Sequence, residues 1–170
     1  VLPLSGEVAS YGIDSKNGID LAIEEANKSQ DEYEFRVTYQ DSEGNPSTAA
    51  TALQQIISSI NPIAVIGENI SSSTGAMIPI ADRNETLLIS PSASAPGLAG
   101  ISDYFFRVFP SDNEEGAFMA ETIANQHPGG VVDVIYVNND YGVGLRDIFV
   151  EEAANKNLQV KSTFGYDPNQ

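Results

Sequence analysis

The chain has 170 residues, with 24 Asp and Glu against 8 Lys and Arg, a formal net charge of -16, and no cysteine. That balance excludes nucleic acid and anionic lipid as partners, because no basic cluster supplies the counterion-release term that drives such binding. The missing Cys removes disulfides, thiol nucleophiles and thiolate metal sites, and no apolar run approaches the roughly 18 residues of a membrane span.

In chain order, short β-branched or aromatic runs alternate with longer helical patterns, as expected of βαβ units and parallel sheets. Val1 to Leu4 reads as the tail of a strand turned by Ser5-Gly6. Ile19, Ala22, Ile23 and Ala26 form one stripe of a helix spanning about 11–28. Phe35, Val37 and Tyr39 alternate with Arg36 and Thr38, which predicts a second strand ending at Asp41 in a turn-rich stretch. Pro46 suits a first helical turn, and Ala50, Leu53, Ile57 and Ile60 mark the helix that follows. Ile63 to Ile66 predicts a strand buried on both faces. A polar loop, Gly67 to Ser73, leads into a helix to about Arg83 interrupted by Pro79. Strands at 86–89 and 104–109 flank the small-residue loop Ser90 to Gly97. Past Pro110 the pattern restarts with helix 113–126, strand 131–137, helix 142–156 and strand 160–164.

Open parallel sheets bind ligands outside the carboxyl ends of their strands. Two loops in such places are hydroxyl-rich: Ser71-Ser72-Ser73-Thr74, and Ser90 with Ser92 and Ser94. The first opens a helix, where backbone N–H groups lack intrahelical acceptors and the dipole favours a carboxylate or other small anion. One of its serines could equally be a simple helix cap.

Catalytic and metal readings fail on inventory. The single His, His127, precedes Pro128-Gly129-Gly130, far from the serines, and there is no nucleophile elbow. Gly142-Val143-Gly144 begins a dinucleotide pattern, but its third glycine position holds Asp147. Asp41, Glu43 and Asn45 miss the calcium-loop spacing, with Gly44 misplaced and Ala52 at the twelfth position. Asp31, Glu32 and Glu34 read as a solvated turn. Glycosylation sequons at Asn27, Asn69 and Asn84 are no more numerous than chance gives.

The loops carry a resemblance. Pro3-Leu4-Ser5-Gly6, Ala9-Ser10-Tyr11-Gly12, Gly18, Leu21-Ala22 and Asn27 resemble the opening of the type I periplasmic-binding-protein family. More narrowly, they are similar to the extracellular receptors of branched-chain amino acid ABC transporters. Ile66-Gly67, Ser71 to Thr74, Ile89 to Pro96, and Asp140-Tyr141-Gly142 with Gly144 and Leu145 follow the same family in the same order.

The resemblance implies an α/β fold of open parallel sheets flanked by helices, with one nearly complete lobe, 1–111, whose first strand is incomplete, and a truncated second lobe, 112–170. It implies that Ser71 or Ser72, with the hydroxyl and N–H of Ser94, holds a ligand carboxylate. It further implies that the carbonyl of Ser92 or Ala93 takes the ammonium, and that Tyr11 and Tyr141 pack on the ligand. Ser94 stands where amino acid binders usually carry Thr, and Ile70 stands where some members carry a disulfide cysteine.

The function implied is non-enzymatic capture of an amino acid or related amide outside the cytoplasm, without a cofactor, for an ABC permease. Two rival readings remain: the same fold as the sensing ectodomain of a membrane receptor, and an enzyme on a flavodoxin-like sheet. An unfinished sheet edge leads us to expect self-association of the 170-residue piece.

Overall fold

The computed structural model describes residues 1–29 and 32–167, so Asp31 of the acidic turn lies outside the described residues. The chain divides into two compact units: Val1–Ala93 with Ser102–Val108, and Ser94–Ile101 with Phe109–Gln170. A boundary placed at 111/112 from sequence would leave residues 94–101 with the first unit, whereas they group with the second.

In the first unit, the expected helix forms as α1 (Ala9–Ser29), with Ile19, Ile23 and Ala26 half-buried and Ala22 exposed, and α2 (Pro46–Ile60) begins with Pro46 in its first turn. Asn45 caps α2, its side-chain oxygen accepting from the N–H groups of Ser47 and Thr48. Strands β1 (Ala64–Ile66), β2 (Leu87–Ser90) and β3 (Phe105–Arg107) form a parallel sheet in the order β1-β2-β3. Helix α3 (Ser71–Arg83) joins β1 to β2 and packs on α2. Leu53, Ile56, Val65, Met77, Ile78, Ala81 and Leu88 are buried and form the core of this unit.

Three sequence expectations are corrected here. Among the described residues, 35–39 form no ladder, and the pairing found nearby is a parallel bridge between Leu2 and Asp41. The segment is held by side chains from α1: the Asn27 carboxamide bonds both the N–H and the carbonyl of Phe35, at 2.8 and 2.9 Å, and the Tyr39 hydroxyl donates to Asp20 at 2.6 Å.

The second correction is that β1 is not buried on both faces. Val65 is buried, but Ile63 is 89% and Ile66 39% exposed. Third, Pro79 does not interrupt α3. A proline removes one donor, and buried Met77, Ile78 and Ala81 around it keep the helix seated.

In the second unit, a single 3-10 turn (Pro96–Leu98) precedes α4 (Asp112–Gln126), β4 (Val131–Val137), α5 (Asp140–Asn155) and β5 (Gln159–Tyr166). Strands β4 and β5 pair in parallel, and α4 packs on α5. The core is Ala120, Phe149, Ala153 and Leu158, with Val132, Val134 and Val160 packed against it.

Candidate functional site

The loop after β1 is built around a buried carboxylate. Glu68 is fully buried; the Ser42 hydroxyl donates to its Oε1 at 2.6 Å and the Ile70 N–H to its Oε2 at 2.5 Å. Its backbone carbonyl accepts from the hydroxyls of Ser90 at 2.6 Å and Thr74 at 3.1 Å. Burial pushes the Glu68 carboxyl up, opposed by the hydrogen bonds from Ser42 and Ile70 and by the charge of the Val1 amino group. One residue thus ties together the start of α3, the end of β2 and the turn before α2.

Helix α3 begins without a side-chain cap, because its N-cap is Ile70. The Thr74 N–H bonds back to the Ile70 carbonyl at 2.9 Å, so the N–H groups of Ser71, Ser72 and Ser73 precede the first helical bond. Ser71 is buried and Ser72 half-buried on this turn. The Ser73 hydroxyl donates to the Gly44 carbonyl at 3.0 Å. Among the described residues, Ser72 makes no side-chain hydrogen bond, which leaves its hydroxyl available at the positive end of the helix.

Asn69 joins the other elements to this turn. Its side-chain amide donates to Ser15 Oγ on α1 at 2.9 Å and to Ser92 Oγ at 3.0 Å, while the Ser92 hydroxyl donates to the Asn69 carbonyl at 3.2 Å. Asn69 is 7% exposed, and its Oδ1 is buried without a partner. Tyr11 lies one helical turn before Ser15 and is 60% exposed, so its ring is open to solvent. Ala93 is buried, and its carbonyl accepts from Arg107 at 3.3 Å. Gly12 is required where α1 begins: a Cβ there would collide with the carbonyl oxygen of Pro3.

In the second unit, the Ser94 hydroxyl donates to Asp112 Oδ2 at 2.9 Å and the Asp112 N–H returns to the Ser94 carbonyl at 3.0 Å. The hydroxyl that the resemblance sets against a ligand carboxylate thus donates within its own unit. A hydroxyl has one proton, a carboxylate only accepts, and here that proton goes to Asp112. Tyr141 stands in the first turn of α5, whose N-cap Asn139 accepts from the Gly142 N–H at 2.9 Å. Its ring, 38% exposed, lines an apolar cavity with Tyr136, Leu145, Phe149 and Tyr166.

Ser71, Ser72, Ser92, Asn69 and Ser15 therefore belong to one hydrogen-bonded corner or its chain neighbours, with Tyr11 a turn away. Ser94 and Tyr141 belong to the other unit. Sequence reasoning missed Glu68, Asn69 as a polar latch, and Asp112. A charged residue two places after an apolar run was the available signal for Glu68.

The sequence profile of the periplasmic binding protein family matches residues 1–170. The chain belongs to that family. It is 30% identical over 162 residues to the chemotactic signal transduction system substrate-binding protein BasB of Halobacterium salinarum, covering 89% of this chain and 39% of that protein. It is 30% identical over 167 residues to Leu/Ile/Val-binding protein homolog 3 of Brucella melitensis, covering 92% and 43%. Among solved structures, a leucine binding protein from Thermotoga maritima superposes with a TM-score of 0.90 at 27% identity, covering 99% of this chain and 48% of that one. This periplasmic binding protein chain thus spans less than half the length of these relatives. Its fold is the one that the resemblance implied: α/β with parallel sheets, in a family of solute-binding rather than catalytic proteins.

Proposed function

We propose that the chain is the ligand-recognising portion of an extracytoplasmic receptor that captures a branched-chain amino acid, or a similar small polar molecule, for an ABC permease. The observation that carries this reading is the uncapped start of α3. Ser71 and Ser72 present early N–H groups there, and Ser72 its hydroxyl, on a corner braced by Glu68 and Asn69. Such a terminus holds a carboxylate.

In this reading Ser71 or Ser72 holds the ligand carboxylate at the start of α3, and the second unit offers the N–H of Ser94 to the ligand. The Ser92 carbonyl takes the ammonium in preference to that of Ala93, which already faces the Arg107 guanidinium. Tyr11 offers an apolar face on the first unit and Tyr141 one on the second. A thermal-shift screen of amino acids, amides and ureas on the full-length protein tests this, because a ligand at 100 times its dissociation constant adds about 2.7 kcal/mol. A branched-chain amino acid should raise the melting temperature, and a panel without any stabiliser would overturn the reading.

Sensing is the second reading, favoured by the likeness to BasB, a chemotactic signal transduction protein by name. Transport and sensing share the ligand step and part at the partner. Loss of uptake on deleting the gene supports a permease; loss of taxis alone supports a signalling receptor.

A further inference from the structure

The three glycosylation sequons, at Asn27, Asn69 and Asn84, are alike in sequence and unlike in the fold. A glycan is bulky and polar, so its asparagine has to stand on the surface with a carboxamide hydrogen to spare. Asn69 fails on both counts: it is 7% exposed, and its carboxamide donates to Ser15 Oγ and to Ser92 Oγ. Asn27 is half-buried within α1, where its carboxamide clamps both the N–H and the carbonyl of Phe35.

Asn84 stands apart from both. It caps the C-terminus of α3 and is exposed, as are Arg83 and Glu85 on either side of it. Glu85 takes a left-handed backbone, φ 50°, and the Thr86 N–H bonds back to the Ala81 carbonyl at 3.0 Å, so the chain turns here from α3 into β2. The Asn84 carboxamide donates to the Ile80 carbonyl at 2.8 Å, a bond for which one of its two hydrogens suffices. Thr86 supplies the hydroxyl of the sequon and donates it to the Asn84 carbonyl at 3.2 Å. Helix α3 has 13 residues, which at about 1.5 Å per residue sets Asn84 roughly 20 Å from Ser71, at the end away from the candidate site.

We infer that Asn84 is an N-glycosylation site, and that Asn27 and Asn69 stay bare in the folded protein. The sugar donor is a lipid-linked oligosaccharide. Asn84 Nδ2 bonds to its anomeric carbon, the bond from that carbon to the lipid phosphate oxygen breaks with its electron pair leaving on the phosphate, and one carboxamide proton is released. Thr86 is 6% exposed, so the transfer precedes the seating of β2, and of the three sequons the fold then admits a sugar at Asn84. The inference rests on the extracytoplasmic location proposed above, because sequons are glycosylated in exported chains.

The test is peptide mapping of the full-length protein, recovered by cell fractionation from its own organism. Tryptic cleavage after Lys16, Lys28, Arg36, Arg83 and Arg107 leaves the sequons on separate peptides, 17–28, 37–83 and 84–107. Mass spectrometry should find a glycan on 84–107 and none on the other two. Asn84→Gln and Thr86→Ala should each lose it, and Thr86→Ser should keep it.

A bare 84–107 in protein recovered from outside the cytoplasm overturns the inference. So does a glycan on 17–28 or 37–83, or one that persists in Thr86→Ala. Should Thr86→Ala fail to fold, the exposed Asn84→Gln decides alone, and an unchanged glycan mass in that variant contradicts the site. Recovery of the protein from the cytoplasm would instead strike down the extracytoplasmic reading, and this inference with it.

Discussion

The Ser42 hydroxyl donates to Glu68 Oε1 at 2.6 Å, and both residues are fully buried. The pair links the turn before α2 to the loop that opens α3, so the corner bearing Ser71 and Ser72 is held by a charge-assisted bond rather than by packing alone. Glu68→Ala leaves the Ser42 hydroxyl and the Ile70 N–H without their acceptor and should cost about 2–4 kcal/mol in urea unfolding. Glu68→Gln, which keeps an acceptor oxygen, should cost less than half of that. Equal stability of Glu68→Ala and wild type would remove Glu68 from its bracing role.

The same corner sets a pH dependence. Burial raises the Glu68 carboxyl against the hydrogen bonds from Ser42 and Ile70, so the folded chain binds more protons there than the unfolded one and the Glu68 contribution falls as pH climbs above 4.5, the ordinary carboxyl value. Unfolding free energies measured from pH 4 to 9 should show that fall, and Glu68→Gln should remove it. An identical profile in Glu68→Gln would contradict the assignment.

Two glycines on one helix offer a paired test of close approach. A Cβ on Gly12 would strike the Pro3 carbonyl oxygen, whereas one on Gly18 would meet nothing within 4 Å. Gly18→Ala should stabilise by about 0.5–1 kcal/mol through helix propensity. Gly12→Ala should destabilise by about 1–3 kcal/mol because backbone must shift. Melting temperatures that move in the same direction would contradict this packing of α1.

The charge of -16 has its own consequence. The ion pairs Lys16–Asp20, Lys28–Glu24, Arg36–Glu34 and Arg146–Asp147 engage only a few of the 24 acidic residues. The rest repel one another, and salt screens them. Stability should rise by about 1 kcal/mol or more between 0.05 and 1 M NaCl, as read by thermal unfolding. A decrease would mean that attractive pairs dominate.

Helices were legible wherever an apolar stripe or a capping residue marked them, as in α2 with Asn45 and Pro46. The strand expected at 35–39 was not, because alternation states what a segment can do and a ladder needs a neighbour. The burial expected of Ile63 failed for the same reason: a sequence run does not show which layers cover it. The hydroxyl-rich loops were found from sequence, but the direction of each hydroxyl proton was not. Ser90, Ser92 and Ser94 donate to Glu68, Asn69 and Asp112 in turn, acceptors 18 to 23 residues distant in sequence. Only the folded chain shows that Ser90 and Ser92 brace the corner and that Ser94 bonds Asp112 in the other unit, while Ser72 keeps its hydroxyl available.

That last distinction makes the decisive measurement a titration of the full-length protein with leucine, isoleucine and valine, in wild type and in the Ser71→Ala/Ser72→Ala double variant. The expected result is saturable binding of at least one of the three to the wild type, weakened about 100-fold or more in the double variant, since two hydrogen bonds to a charged group are lost. Unchanged affinity in a folded double variant, or no binding to the wild type, would contradict the assignment of the α3 terminus as the carboxylate site.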